Sequence, residues 1–337
     1  MSSLEKINIY VPEHIGVTLD NDARMFEILK NDGTSVNRNR FLSMLISGYY
    51  NAYVSKCQRK KDAIIEVLVN YGVNESISSE ISSSIIKNII LPEVPSRKGK
   101  NPTKLSLKPT KDTEGLILNI LKDLGSDDYI SQYFCRLFMS YCEQPFSTRE
   151  QIIFKENYDK LKLACENHTP ISFCTIWNKT VIHTVIPYKL AVCHEEMFNY
   201  LLCAESFEKQ EARTYRLNRI SKIICCGGTN QIENSVTEHL DKMLKYGPQY
   251  MINDNEETCV RLTDAGKRNF SRIYYGRPQV DRIEEVDGNA YYYFRCSKDQ
   301  IFFYFRRFGD NDAEIISPES LRKKIAEFHL KAYENYT

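Results

Sequence analysis

No apolar run in this chain approaches the roughly 20 residues that a membrane span needs. The opening MSSLEKINIYVPEH is too acidic and too weakly apolar for a secretory leader, so a cytoplasmic location is expected. Neither sign of charge is in excess: the net charge is +1, and any electrostatic footprint for nucleic acid must be a local patch. The 11 cysteines are odd in number and form no C-x-x-C pair, which argues against a disulfide scaffold or a zinc ribbon. They read as small buried hydrophobes in a reducing compartment. Cys193-His194-Glu195-Glu196 gathers ligand types, but neighbours on a strand point apart and no second ligand pair is near. P-loop, G-x-S-x-G, H-E-x-x-H and paired-carboxylate motifs are all missing, and the Gly227-Gly228 pair is followed by nothing that completes a phosphate loop. The six histidines are dispersed. A binding protein is therefore expected rather than an enzyme, with no cofactor and no metal.

What is present is an ordinary composition, 42% hydrophobic and 26% charged, over 337 residues. That is enough chain for two or three domains with separate cores. The most informative stretch is 197–220, MFNYLLCAESFEKQEARTYRLNRI. It reads as a hairpin whose second strand carries Arg213, Arg216 and Arg219, with Phe198 and Tyr200 across the turn. Guanidinium forks suit phosphate oxygens, and aromatic rings offer faces to unstacked bases. The competing reading is a solvated strand face with the arginines paired to Glu205, Glu208 and Glu211. By strand parity Arg213 and Arg219 share one face and Arg216 takes the other, unless a bulge intervenes.

The segment Asn199-Tyr200-Leu201-Leu202, a turn and then RTYRLNRI resembles the core of the WYL domain, with Asn199 in the place of the Trp that gives the domain its first letter. Upstream, Pro170-Ile171-Ser172-Phe173 and the strand VIHTVIPYKL with Pro187 and Leu190 follow the same pattern. The resemblance covers about residues 150–228. It implies a small Sm/SH3-like barrel with a basic and aromatic groove, and by position it makes His183, Tyr188, Tyr200, Arg213, Arg216 and Arg219 the nucleic-acid-binding candidates.

At the N-terminus KINIYVP alternates, with Ile7, Ile9 and Val11 toward a core and Lys6, Asn8 and Tyr10 outward; Pro12 stops the strand. A helix is expected at about 19–31, broken by Gly33, and a second one capped by Ser35. One strand with two helices cannot satisfy its own ladder, so it invites a second copy. The layout resembles the ribbon-helix-helix fold, which implies a homodimer whose ribbon face (Lys6, Asn8, Tyr10) reads DNA in DNA-binding members. Residues 55–91 read as mostly helical and 92–112 as a Pro- and Lys-rich linker; helices return at 113–124, 127–142 and 148–166. From 257 onward the order strand, helix, hairpin across Asp287-Gly288, helix, strand is a ferredoxin-like βαββαβ plan, with Pro318 at the first position of a last helix. Arg261, Lys267, Arg268, Arg272 and Arg277 form a local basic cluster, of which Arg268 and Arg272 are carried as nucleic-acid-binding candidates.

The expected fold class is thus α+β: a ribbon-helix-helix unit (1–55), a helical region with a basic linker at 92–112 (56–150), a WYL β-barrel (151–228) and a ferredoxin-like extension (229–337). This combination resembles the WYL accessory proteins of type VI-D CRISPR systems. The resemblance implies a homodimer that binds single-stranded RNA and raises the activity of an RNA-guided RNase, its partner effector. The alternative is a DNA-binding transcriptional regulator whose WYL domain senses a nucleotide or single-stranded ligand.

Overall fold

In the computed structural model the chain forms two compact units, Met1–Glu156 and Asn157–Thr337. The structure describes residues 5–94, 102–124, 127–205, 209–228, 230–286, 289–309 and 311–337, with only the backbone described at 123 and 127–129.

The first unit begins with β1 (Ile7–Val11) and α1 (Glu13–Met25), followed by α2 (Arg38–Asn70) and α3 (Glu75–Ile85), which continues as a short π-helical stretch, Ile86–Ile90. Next come β2 (Thr103–Leu107), α4 (Lys111–Leu124), α5 (Asp127–Cys142) and α6 (Phe146–Ile153). The alternation in β1 is realised: Ile9 and Val11 are fully buried, whereas Lys6 and Asn8 are exposed. Its ladder is completed from within the chain. β1 pairs antiparallel with β2, with Ile9 opposite Leu105 and Asn8 opposite Ser106.

This corrects two expectations together. The 92–112 stretch is not wholly a linker, since 103–107 is a strand (95–101 lie outside the described residues). The need of β1 for a partner strand is met by β2, so it no longer argues for a second copy. β2 is in turn followed by α4 and α5, so the unit holds two strand-helix-helix halves. The halves interlock, with α5 packing on β1 and α2 on β2. The Asn39 side chain, near the start of α2, brackets the end of β2: its Oδ1 accepts from the Lys108 amide at 2.7 Å and its Nδ2 donates to the Lys108 carbonyl at 3.1 Å.

Other boundaries also moved. α1 starts directly after Pro12, six residues earlier than expected, because a proline that ends a strand also suits a helix start. The cap of α2 is Asn37, whose side chain accepts from the Arg40 amide, and not Ser35. α2 runs unbroken through 55/56 to Asn70. The helix expected over 148–166 is two, α6 and α7 (Lys155–Asn167).

The interior of this unit is held by a charged group as well as by apolar packing. Asp22 is 2% exposed and accepts from Arg149 Nε at 2.7 Å, Arg149 Nη2 at 3.0 Å and the Tyr141 hydroxyl at 2.9 Å. α2 and α6 approach closely at Gly48, where a Cβ would lie 2.0 Å from the Ile152 carbonyl oxygen. Gly48→Ala is therefore expected to force the helices apart and destabilise the unit by about 1–3 kcal/mol, read as a lower urea midpoint; an unchanged midpoint would show that the helices separate freely.

The second unit takes α7 into β3 (Ile171–Thr175), β4 (Ile182–Val192), β5 (Asn199–Glu205), β6 (Glu211–Arg216), a 3₁₀ turn at Leu217–Arg219 and β7 (Ile220–Cys225). These strands form one antiparallel sheet in the order β6-β5-β4-β3-β7, with Asn199 through Ala204 of β5 all buried. An unanticipated helix, α8 (Asn234–Tyr246), leads into β8 (Thr258–Leu262), α9 (Asp264–Arg272), β9 (Arg282–Val286), β10 (Asn289–Phe294), α10 (Lys298–Phe305), β11 (Ala313–Ser317) and α11 (Glu319–Glu334).

The second sheet has the order β11-β8-β10-β9, antiparallel throughout. Its core gathers Val260, Phe294, Ile301, Tyr304, Phe305 and Leu321. The β9–β10 hairpin is present, with Val286 opposite Asn289, while the expected Asp287-Gly288 turn lies outside the described residues. Pro318 precedes α11 as its cap residue rather than as its first turn.

Candidate nucleic-acid interface

The three arginines of the hairpin do not sort by strand parity. β6 ends at Arg216, and the 3₁₀ turn that follows carries Arg219, so the alternation stops between them. Arg216 and Arg219 line the same groove and Arg213 does not. Arg213 instead bonds Glu205 Oε2 through Nε and Glu211 Oε2 through Nη2, both at 3.0 Å. For that residue the paired-face reading holds; Glu208 lies outside the described residues.

The groove has a volume of about 710 Å³ and lies wholly in the second unit. One wall comes from the first sheet: Trp177 after β3, Glu195 and Glu196 between β4 and β5, Tyr200, Tyr215, Arg216 and Arg219. The other comes from Tyr250 and Met251 before β8, Tyr275 after α9, and Phe303, Arg306 and Arg307 at the end of α10 and just beyond it. The lining thus carries four arginines against two glutamates. Trp177, the only tryptophan in the chain, is 69% exposed and Tyr275 55%, so these side chains are open to solvent, while Phe303 is 42% exposed with Arg306 over its ring.

Each charged group has a distinct environment. The Arg216 guanidinium carbon lies 3.4 Å from the Phe198 ring centroid, a cation–π stack that fixes its plane. Its Nε is buried with no hydrogen-bond partner among the described residues. Arg306 lies 4.9 Å from the Phe303 centroid, and Arg307 is braced by its Nη1 donating to the Tyr275 carbonyl at 3.1 Å. Burial, reinforced by the neighbouring Glu196 charge, pushes the Glu195 carboxyl above its ordinary range. Burial and the hydrogen bond to Glu196 push the Tyr200 phenol up, and its hydroxyl donates to Glu196 Oε2 at 2.7 Å.

Tyr200 is only 5% exposed, so it shapes the floor of the groove and offers no face for stacking. His183 lies beside the groove in a polar cluster, with Nδ1 3.0 Å from Glu205 Oε1 and 3.2 Å from the Tyr215 hydroxyl. Tyr188 does not line the groove; its hydroxyl donates to Asp241 of α8 at 2.7 Å.

The other candidates lie elsewhere. Lys6, Asn8 and Tyr10 stand on the outer face of the β1–β2 ribbon, where β2 adds Lys104 and Ser106. Arg268 and Arg272 are exposed one turn apart on α9, but the rest of that basic cluster is engaged: Arg261 with Glu314, Lys267 with Asp264 and Glu285, and Arg277 with the Phe270 carbonyl.

Trp177, Glu195, Glu196, Tyr275, Phe303, Arg306 and Arg307 were missed as site residues. The adjacent arginines of FYFRRFG were a usable signal; the convergence of four separate segments was not. Among the described residues no three His, Cys, Asp or Glu side chains gather as a metal set.

The Glu205 cluster gives a pH test. Burial alone would raise this carboxyl, but bonds from His183 and Tyr215 and the Arg213 charge outweigh it and hold it below its ordinary 4.5. Its contribution to stability is therefore full above that value and is lost as pH falls through the lowered folded-state pKa. Glu205→Gln is expected to be less stable than the parent at neutral pH, with the gap closing in acid. A gap constant from pH 7 to pH 3 in thermal melts would contradict this.

The geometry defines a class: a two-unit α+β chain whose second unit joins two antiparallel sheets around an arginine- and aromatic-lined groove. No protein-family model matches the chain, and no curated protein matches it. Among solved structures it is similar to a crystal structure of a CRISPR Cas-related protein, at 20% identity and a TM-score of 0.69, over 98% of this chain and 94% of that one. It also aligns with proteasome accessory factor B/C (PafBC) of Arthrobacter aurescens at 15% identity and a TM-score of 0.26, over 78% of this chain and 44% of that one. The first similarity shows a fold shared over nearly the full length; the second is too slight to carry weight.

Proposed function

We propose that this chain is a non-enzymatic accessory protein of a CRISPR system that binds single-stranded RNA in the groove of its second unit and raises the activity of an RNA-guided RNase. The observation that carries this reading is the groove itself. Arg216, Arg219, Arg306 and Arg307 supply forks for a phosphate backbone, and Trp177, Tyr275 and Phe303 supply exposed rings for splayed bases. Its likeness in fold to a CRISPR Cas-related protein supplies the context.

In this reading the first sheet, with a 3₁₀ turn before its last strand, is the WYL barrel. The order β11-β8-β10-β9 is that of a ferredoxin-like βαββαβ extension. The two interlocked strand-helix-helix halves form a ribbon-helix-helix unit within one chain.

The test uses Trp177 as the reporter. Quenching of its fluorescence by an unstructured 20-nucleotide RNA, a DNA of the same sequence and a duplex is compared at fixed salt. RNA is expected to bind tightest and the duplex weakest. Equal binding of all three would reduce the groove to a non-specific anion surface. Added to the RNase, the protein should raise its turnover, and Arg216→Ala should not.

The homodimer of this proposal rests on the C-terminal half. β9 is an exposed edge strand with Ile283 and Val286 half in solvent, and α11 exposes Leu330 and Tyr333. Ile283→Lys is expected to convert the dimer to monomer in sedimentation; an unchanged dimer would place the contact elsewhere.

A second reading, duplex DNA binding by the ribbon, is favoured by the outward Lys6, Asn8, Tyr10 and Lys104. A duplex footprint lost in the Asn8→Ala, Tyr10→Ala variant, with RNA binding kept, would establish it.

A further inference from the structure

We propose that the first unit holds a binding site for an amphipathic anion, an apolar body carrying one acidic head, in the cavity between α2, α3 and α5. The cavity has a volume of about 580 Å³, within the range of small-molecule sites. Its walls are apolar: Tyr53 and Val54 of α2, Ile86 and Leu91 at and beyond the end of α3, and Tyr133 of α5. A smaller cavity of about 70 Å³ shares Tyr53, Ile86 and Leu91 and extends the space toward the C-terminal end of α5.

The charged lining is mainly cationic among the described residues. Lys61, Lys87 and Arg136 face the larger cavity with no described aspartate or glutamate beside them, and the smaller one adds Lys56, Lys60 and Glu143, of which Glu143 is paired with Lys56 at 3.3 Å. Lys61 has no hydrogen-bond or ion-pair partner among the described residues. Among the described residues Arg136 makes one hydrogen bond, from Nε to the Pro92 carbonyl at 3.3 Å, which leaves its terminal nitrogens for an incoming head group. A neutral ligand would leave Lys61 and the terminal nitrogens of Arg136 without a counter-charge, and a cationic one would be repelled. A fully hydrated anion such as inorganic phosphate would forgo the apolar walls. An apolar body with an anionic head satisfies both parts of the lining.

The position gives occupancy a route to the rest of the unit. α2 and α5 flank the cavity, and they are also the helices that pack on β2 and β1. A ligand seated between them is expected to stabilise the interlocked halves by mass action.

The test is a displacement assay on the full chain. 1-Anilinonaphthalene-8-sulfonate, an aromatic anion, is titrated until its fluorescence saturates, and sub-micellar dodecanoate, dodecyl phosphate and dodecyltrimethylammonium compete for it. The two anions are expected to displace the dye and raise the melting temperature of the first unit, and the cation is expected to do neither. Whichever anion competes better identifies the head group. Val54→Phe fills the space and Lys61→Glu reverses its charge. Each should weaken dye binding at least tenfold while circular dichroism and RNA quenching of Trp177 stay as in the parent. Equal displacement by the cationic amphiphile, or dye binding unchanged in both variants, would overturn the proposal. Unchanged dye binding with altered sedimentation of Val54→Phe would instead make this face an interface between copies.

Discussion

Arg216→Ala is expected to weaken single-stranded RNA binding about 10- to 100-fold, the size of one charge-assisted contact worth about 1.5–3 kcal/mol. The same substitution should lower the slope of log affinity against log salt by about 0.7 if one phosphate contact is lost. Arg216 is chosen because its guanidinium is already oriented by the Phe198 ring and its Nε has no partner among the described residues. Arg213→Ala is the internal control. Arg213 is held by Glu205 and Glu211, so its loss should cost stability and leave the salt slope unchanged. Arg216→Lys separates charge from geometry: it keeps the slope but loses the planar fork, and should fall between the parent and the Ala variant. If Arg213→Ala flattens the slope and Arg216→Ala does not, the RNA path lies on the other face of β6.

The second large effect is on folding. Asp22→Ala is expected to destabilise the first unit by about 3–5 kcal/mol, because it removes a buried carboxylate and strips the partly buried Arg149 of its bidentate partner. The Tyr141 hydroxyl, on a ring that is fully buried, loses its acceptor as well. Arg149 cannot shed its proton to escape, since a guanidinium stays charged. The paired change Asp22→Ala, Arg149→Met should cost less than Asp22→Ala alone, because the uncompensated charge goes with its partner. Urea unfolding followed by far-UV circular dichroism measures this. A loss below about 1 kcal/mol for the single variant would mean that solvent already reaches the pair.

Those two sites differ in how far the sequence revealed them. The N-terminal strand was legible because three apolar residues, Ile7, Ile9 and Val11, alternate over five positions. Its partner β2 was not, because TKLSL has two apolar residues between Pro102 and Pro109, and composition there reads as a tether. Both helices after β2 were visible, yet the repeat they complete shows only once β1 and β2 are paired. α8 is marked in the sequence by the helical spacing of Val236, Leu240 and Met243, all buried in the structure.

At the groove, Arg216 and Arg219 were found from one hairpin, but their shared direction depends on a 3₁₀ turn that strand parity could not anticipate. Trp177, Tyr275 and Arg307 lie some 30 to 130 residues apart from one another in the chain. Nothing local marks them as neighbours; the packing of two sheets within one unit brings them together. Asp22 and Arg149 are likewise separated by 127 residues, and a charge in mid-helix reads from sequence as solvated.

The most direct test of RNA binding in the groove is ultraviolet crosslinking of a 4-thiouridine-containing single-stranded RNA to the full chain, followed by mass mapping of the adducts. Adducts at Trp177, Tyr275 and Phe303, abolished by excess unlabelled RNA, are the predicted result. Adducts confined to Tyr10 on the ribbon, or to the α9 peptide bearing Arg268 and Arg272, would contradict it.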